Sequence, residues 1–345
     1  MQSDHQIIDR IRAEIGRDPL LEFEGDACVS LSLWDDSETF RGLIRHHDSA
    51  AQQRVLLDIA KLEGLRSLDV HQNWLRSLPK EMGRLTNLRV LNITSNYLGT
   101  LPDWIWGLTQ LETLSMGVND LEVVSPRLGE LVNLQHLYLH KNRIREIPRQ
   151  LLQLKKLRSL GLYLNATPEF PVWVAELPDV ELFSWGISGI TRFPREIEAW
   201  KNLKYLSLIC NRFDNVDGIE RCNSLLGMRL HKNRIKKLPE DWSGMQRLRQ
   251  VTLYQNDLDE LPESMGDMGQ LQMLNIAWNR FAHLPRCIGR MKSLRWLSTH
   301  HNKWVDENEF ASLPKSLEIV RRHPFGWLPP PKWNKLQFTE SELAS

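Results

Sequence analysis

The side chains that could carry chemistry in this chain are its eleven histidines and four cysteines. Two of the histidines, His140 and His231, lie in the same hexapeptide, LHKNRI, at residues 139–144 and again at 230–235, 91 residues later. A histidine beside a thiol, carboxylate or second histidine can ligate zinc or move protons near neutral pH. The spacings here do not offer that. Cys28, Cys210, Cys222 and Cys287 read CVS, CNR, CNS and CIG, with no CxxC pair and no Cys/His cluster of metal-ligand spacing. His46–His47 and His300–His301 are adjacent pairs without a Cys, Asp or Glu at a ligand interval. There is no nucleophile with a base, no phosphate-cradling glycine loop and no pair of acids in supporting context. The expectation is no catalytic residue, no metal and no cofactor. Cys28, in GDACVSL, is the only thiol that an enzyme confined to residues 1–60 would have at hand.

The elements that position these residues follow from a period. Aligned on the asparagine of LHKNRI, the chain carries Asn73, Asn96, Asn119, Asn142 and Asn165, then Asn211, Asn233, Asn256, Asn279 and Asn302. The step is 23, with Ser188 where one asparagine is missed and a single step of 22 between Asn211 and Asn233. Four such steps less one residue make 91, so the repeated hexapeptide is a consequence of the ruler. Each unit tends to place apolar residues eight, five and three before the asparagine, and two and five after it. In LRVLNITSNYLGTLP these are Leu88, Leu91, Ile93, Leu98 and Leu101, followed by Pro102 and then Ile105 and Leu108. The LxL segment alternates with period two and reads as a short strand with one buried face. The asparagine suits the turn leaving it, where its amide can bond backbone groups that otherwise lack partners. The proline stops any strand and can open a helical turn.

The pattern L-x-x-L-x-L-x-x-N-x-L-x-x-L-P, in eleven registered copies over roughly residues 65–313, closely resembles the leucine-rich repeat family in its intracellular 23-residue form. The resemblance implies an α/β fold: a right-handed solenoid, or horseshoe, with a parallel concave β-sheet of about eleven strands and a cap at each end. One unit cannot bury its apolar side chains alone, whereas stacked copies can. The expected organisation is a helical N-terminal cap over residues 1–60, a solenoid over 61–313 and a C-terminal cap over 314–345. Within the first cap, HQIIDRIRAEI and SAAQQRVLLDIAKL read as amphipathic helices around an irregular middle. Trp185, Trp200 and Trp242 fall on core positions; Trp104 and Trp173 fall beside one, on the outer turns. The geometry also demotes metal binding. Four strands put His140 and His231 roughly 19 Å apart, and His136 and His140 on one strand about 13 Å apart.

Strand positions six, four and two before each asparagine face away from the core. These 33 positions hold four of the five tyrosines (Tyr138, Tyr163, Tyr205, Tyr254) and five histidines (His71, His136, His140, His231, His300). They hold only two charged residues, Asp69 and Arg229, where composition predicts about eight. Tyrosine-rich, charge-poor surface is what protein interfaces use. A docking surface is therefore expected around Tyr163, Leu164, Leu182, Ile187, Tyr205 and Ile209. Cys210 belongs to the same patch; His140 and Lys141 flank it on one side, and Arg229, His231 and Lys232 on the other, with His136, Tyr138 and Tyr254 completing the expected partner-binding set. Near-balanced charge, 44 Lys+Arg against 43 Asp+Glu, gives no global field for nucleic acid or anionic lipid. There is no run of eighteen apolar residues and no signal-like apolar segment at the start. The expected protein is a monomeric, non-catalytic scaffold that binds a protein partner, in the cytoplasm. The competing expectations are an effector exported without a cleaved signal to engage a host-cell protein, and an enzyme in residues 1–60.

Overall fold

The sequence dictates the coil locally. In the unit around Asn96, Leu88, Leu91, Ile93 and Leu98 are fully buried, as the spacing requires. Between Leu88 and Ile93 runs a strand of only three residues, Val90–Asn92, with Leu91 at its centre. Pro102 then opens a single 3-10 turn, Asp103–Gly107, that buries Ile105 and ends at buried Leu108. The same proline-led turn recurs after Pro79, Pro148, Pro262 and Pro285. Proline fixes φ for such an entry and loses no hydrogen bond there, because the first N–H groups of a helical turn have no internal partner.

A computed structural model describes residues 3–33, 49–187 and 189–320. The chain divides into two compact units, Met1–Thr167 and Pro168–Ser345. In the first, helix α1 (Asp4–Ile15) starts at a capping box in which Ser3 and Gln6 satisfy each other's backbone N–H, and it ends at left-handed Gly16. It turns Ile7, Ile8, Ile11 and Ile15 inward. An antiparallel hairpin follows, β1 (Leu20–Glu24) and β2 (Ala27–Ser32), and β2 pairs in parallel with β3 (Ser67–Asp69). Helix α2 (Ser49–Ile59) is tied to α1 by Arg10–Asp58 at 2.9 Å. Parallel strands then succeed one another: β4 (Val90–Asn92), β5 (Thr113–Ser115), β6 (His136–Tyr138) and β7 (Ser159–Gly161). The second unit repeats the arrangement with β8 (Leu182–Ser184), β9 (Tyr205–Ser207), β10 (Gly227–Arg229), β11 (Gln250–Thr252), β12 (Met273–Asn275), β13 (Trp296–Ser298) and β14 (Glu318–Val320), again in parallel register.

Strands β3 to β13 are the eleven repeat strands anticipated from the period. Two details differ from the sequence reading. Within the irregular middle of residues 1–60, residues 20–32 form a hairpin turned at left-handed Gly25, and its second strand extends the sheet, burying Cys28 and Leu31; residues 34–48 lie outside the described residues. After Asn302 the coil does not stop: a 3-10 turn (Glu307–Ser312) leads into β14, paired with β13. The rest of the expected C-terminal cap, 321–345, lies outside the described residues, as does Ser188. Trp185, Trp200 and Trp242 are core residues. Trp104 is half-buried and packs over Gly83 of the preceding turn.

The ladder asparagines bind the coils together. Asn142 Oδ1 accepts from Leu121 N–H of the previous coil at 3.0 Å, while its Nδ2 donates to the carbonyls of Met116 and Leu139, each at 2.9 Å. Asn96, Asn119, Asn233, Asn256, Asn279 and Asn302 repeat that pattern. The residue before each ladder position, whether asparagine or Ser188, is left-handed: Gln72, Ser95, Val118, Lys141, Leu164, Ile187, Cys210, Lys232, Gln255, Trp278 and His301, with φ from 52° to 62°. Such a conformation costs a residue with a Cβ about 1–2 kcal/mol, and the hydrogen bonds of the following carboxamide offset it. Replacing Asn142 by Ala strands the buried Leu121 N–H, which costs about 1–3 kcal/mol, and removes one of the two carboxamide bonds to each of the Met116 and Leu139 carbonyls, which Asn119 and Asn165 still reach. We expect Asn142→Ala to lower the urea midpoint by the equivalent of at least 2 kcal/mol or so at unchanged slope. Exposed Asn215→Ala, measured alongside, should stay within about 0.5 kcal/mol of wild type.

Candidate functional site

Strand alternation turns the candidate residues away from the core. Six of the fourteen lie in the first unit. His136 is half-buried, and its Nδ1 shares a 2.9 Å hydrogen bond with Ser159 Oγ on the next strand. Tyr138 is only 4% exposed; its register neighbours Ser115 and Gly161 are small and leave room for the phenol against the sheet. His140 is 3% exposed and stacks on Tyr163, with ring centroids 4.9 Å apart and planes within 3°. On its other side is Gly117, where a Cβ would come within 2.3 Å of the imidazole. That enclosure, with the charge of Lys141 as a smaller contribution, pushes the His140 pKa down to about 4. Lys141 is exposed, and Tyr163 and Leu164 are partly so.

The second unit holds the other eight. Leu182 is 6% exposed and pairs in register with Tyr205, which remains partly open beside Ile209. Ile187 is 43% exposed, and its N–H donates to Ile209 O at 3.2 Å. The chain comes close enough there that a Cβ on Gly186 would lie 2.3 Å from that same carbonyl, so only glycine fits. His231 stacks on Tyr254 at 4.2 Å and 13°, and its Nδ1 lies 3.1 Å from Thr252 Oγ1. Burial, then the charges of Arg229 and Lys232, drives the His231 pKa down to about 3. Burial, then the neighbouring Cys210, lifts the Tyr254 hydroxyl to about 12. Lys232 is exposed and Arg229 half-buried.

The two copies of LHKNRI are thus two copies of one contact. In each, the histidine stacks on a tyrosine one coil later, His140 on Tyr163 and His231 on Tyr254. The sequence reading placed all four residues on this face but missed the pairing, although both tyrosines follow at an interval of 23. It missed a third stack at that interval, Trp278 on His301 at 3.9 Å and 7°. What such a face offers chemically is ring and aliphatic contact with a few hydrogen-bonding groups. Among the described residues no three His, Cys, Asp or Glu side chains are grouped to hold a metal. Cys28 is buried, with its thiol pushed up to about 11, and burial lifts Cys222 and Cys287 to about 12. Thiols held that far above neutrality are poor nucleophiles. No described helix is long and apolar enough to cross a membrane.

A family model described as a leucine-rich repeat region matches residues 43–167. Among solved structures, a leucine-rich repeat protein of Leptospira interrogans is 30% identical, covering 78% of this chain and 75% of that one, with a TM-score of 0.67. An internalin from Listeria monocytogenes superposes with a TM-score of 0.71 over 94% of this chain and 98% of its own, at 17% identity. The plant peptide hormone receptor RGFR1, in complex with RGF2, is 24% identical over 75% of this chain and 48% of the receptor, with a TM-score of 0.61. The last two likenesses show the fold alone. No curated protein matches the sequence.

The depressed histidines set an acid-side limit on stability. Their ordinary pKa is about 6.5 when unfolded, so between that pH and about 3 to 4 the unfolded chain takes up protons that folded His140 and His231 refuse. Stability therefore falls as pH drops through this window and is intact above it, by on the order of 1–2 kcal/mol per histidine at pH 5. Urea unfolding at pH 7.5 and pH 5 should show that loss, and His231→Gln should shrink it.

Proposed function

The chain belongs to the leucine-rich repeat family, and from that premise we propose that it is a non-catalytic module that binds a protein partner on the strand face. The fold is one that interaction modules use in general. The observation that carries the proposal is the pair of His–Tyr stacks, which hold tyrosine rings rigidly on a face with few charges. Rings fixed before binding lose little side-chain freedom on contact, which is where interfaces otherwise forfeit affinity. The contact residues in this reading are Tyr163 and Leu164 on the first unit and Ile187, Tyr205, Ile209 and Tyr254 on the second. His136, Lys141, Arg229 and Lys232 form its polar flank. Tyr138, His140, Leu182 and His231 act from behind, as supports for the rings.

The four free thiols agree with a reducing compartment, and we place the protein in the cytoplasm as a scaffold. The second reading, an effector exported to engage a host-cell protein, rests on the resemblance to bacterial repeat proteins; a culture-supernatant assay separates the two. Affinity capture from native lysate tests the contact itself. Wild-type protein should retain a partner that Tyr163→Glu and Ile209→Glu each lose, with unchanged circular dichroism. Equal capture by all three would refute the placement.

A further inference from the structure

Charge is distributed unequally along the edge at which the strands end. Consider the three outward strand positions of each coil and the residues immediately before and after its ladder position. In the first unit these hold two cations, Lys141 and Arg143, and two carboxylates, Asp69 and Asp120. They balance locally: Arg143 pairs with Asp120 at 2.8 Å, and Asp69 holds His71 at 2.6 Å. In the second unit the same positions hold six cations, Arg212, Arg229, Lys232, Arg234, Arg280 and Lys303, against one carboxylate, Asp257. That carboxylate is engaged by Arg280 at 2.5 Å. The whole chain has a net charge of only +1, so the excess is a matter of placement.

The cations are in register. Arg234, Asp257, Arg280 and Lys303 each donate a backbone N–H to the preceding coil, at 2.7–2.9 Å. One strand step is about 4.8 Å, so Arg212 and Lys303, four coils apart, are separated by roughly 19 Å. Arg212, Lys232, Arg234, Arg280 and Lys303 are exposed. Beside them stand half-buried Tyr254 and Trp278, which is 38% exposed. Of the other carboxylates of this stretch, Asp214, Asp259 and Glu260 come two or three positions later in the coil, and Asp217, Glu220, Glu240, Asp241, Glu263 and Asp267 later still.

We propose that this edge of the second unit binds an acidic protein segment, with carboxylates on the arginines and lysines and apolar or aromatic side chains against Ile209, Tyr254 and Trp278. Guanidinium groups bind carboxylates in a bidentate manner, which fixes orientation as well as adding energy. A nucleic acid fits less well. Its grooves interleave basic residues with ring faces open for stacking, whereas here Tyr254 and Trp278 each give one face to a histidine and the strand positions themselves hold only Arg229. The inference rests on the reading above, that the strand face contacts protein, and adds the partner's charge.

The test is fluorescence anisotropy on the full chain with three labelled probes: a repeating Glu-Glu-Tyr peptide, its Lys-Lys-Tyr counterpart and a short oligothymidylate. The Glu-Tyr peptide should bind, more weakly at high salt because exposed charges are screened. Arg212→Glu/Arg234→Glu should weaken it by at least roughly tenfold, whereas Arg143→Glu/Arg145→Glu in the first unit should not. No binding of the Glu-Tyr peptide, equal loss in both double variants, or tighter binding of the oligothymidylate overturns the proposal. Lysate capture separates this from the parent reading. If Ile209→Glu loses the partner while Arg212→Glu/Arg234→Glu keeps it, the acidic-segment proposal fails alone; if both keep it, the strand face is not the contact.

Discussion

One carboxamide, repeated every 23 residues, is the constraint on which the rest depends. The asparagine after each strand accepts from one coil and donates to carbonyls of that coil and its own, as Asn142 does with Leu121, Met116 and Leu139. These backbone groups are buried at a bend where neither strand nor helix can pair them, so without the carboxamides of successive coils they would be left unsatisfied. The residue ahead is held left-handed as part of the same turn. Everything that projects from the strand-exit edge, including Lys141, Ile187, Lys232 and Trp278, takes its direction from that turn.

A strict repeat has a second consequence. Equivalent side chains in successive coils stand one above another at strand spacing, so identical or complementary rings can stack. That happens for His140 with Tyr163, for His231 with Tyr254 and for Trp278 with His301. Small residues make it possible: Gly117 admits the His140 ring and Gly186 admits the Ile209 backbone. Enclosure then keeps the two histidines neutral, so rings that look in sequence like titratable or metal-ligating groups behave as aromatic packing.

In the proposed reading, binding chemistry is divided between the face and its edge. The strand face contributes rigid rings and aliphatic contact at low charge, which favours a protein surface without dictating which one. The edge of the second unit contributes cations in register, which would dictate the sign of the partner. Cys28, Cys222 and Cys287 take no part in either, because they are buried and their thiols are held far above neutrality.

How much of this was legible in the sequence follows from range. The period, the leucine core, the eleven strands and the proline-led turns were readable because each depends on neighbours within one coil: Leu91 and Ile93 are buried by alternation, and Pro102 ends a strand by its own ring. The same alternation is what let candidate rings such as Tyr163 and Tyr254 be named from spacing alone. Exposure was not readable. Tyr138, His140 and Leu182 hold outward positions yet are nearly closed, because what covers an outward side chain belongs to the coils on either side. The hairpin within residues 1–60 and the strand after Asn302 escaped too, since neither carries the asparagine and each is decided by pairing with a strand from another part of the chain. The sequence by itself determined the repeat and the alternation of each strand. Only the tertiary structure decided which rings meet, which histidines stay neutral and where positive charge gathers, because those depend on distances between residues 23 positions apart.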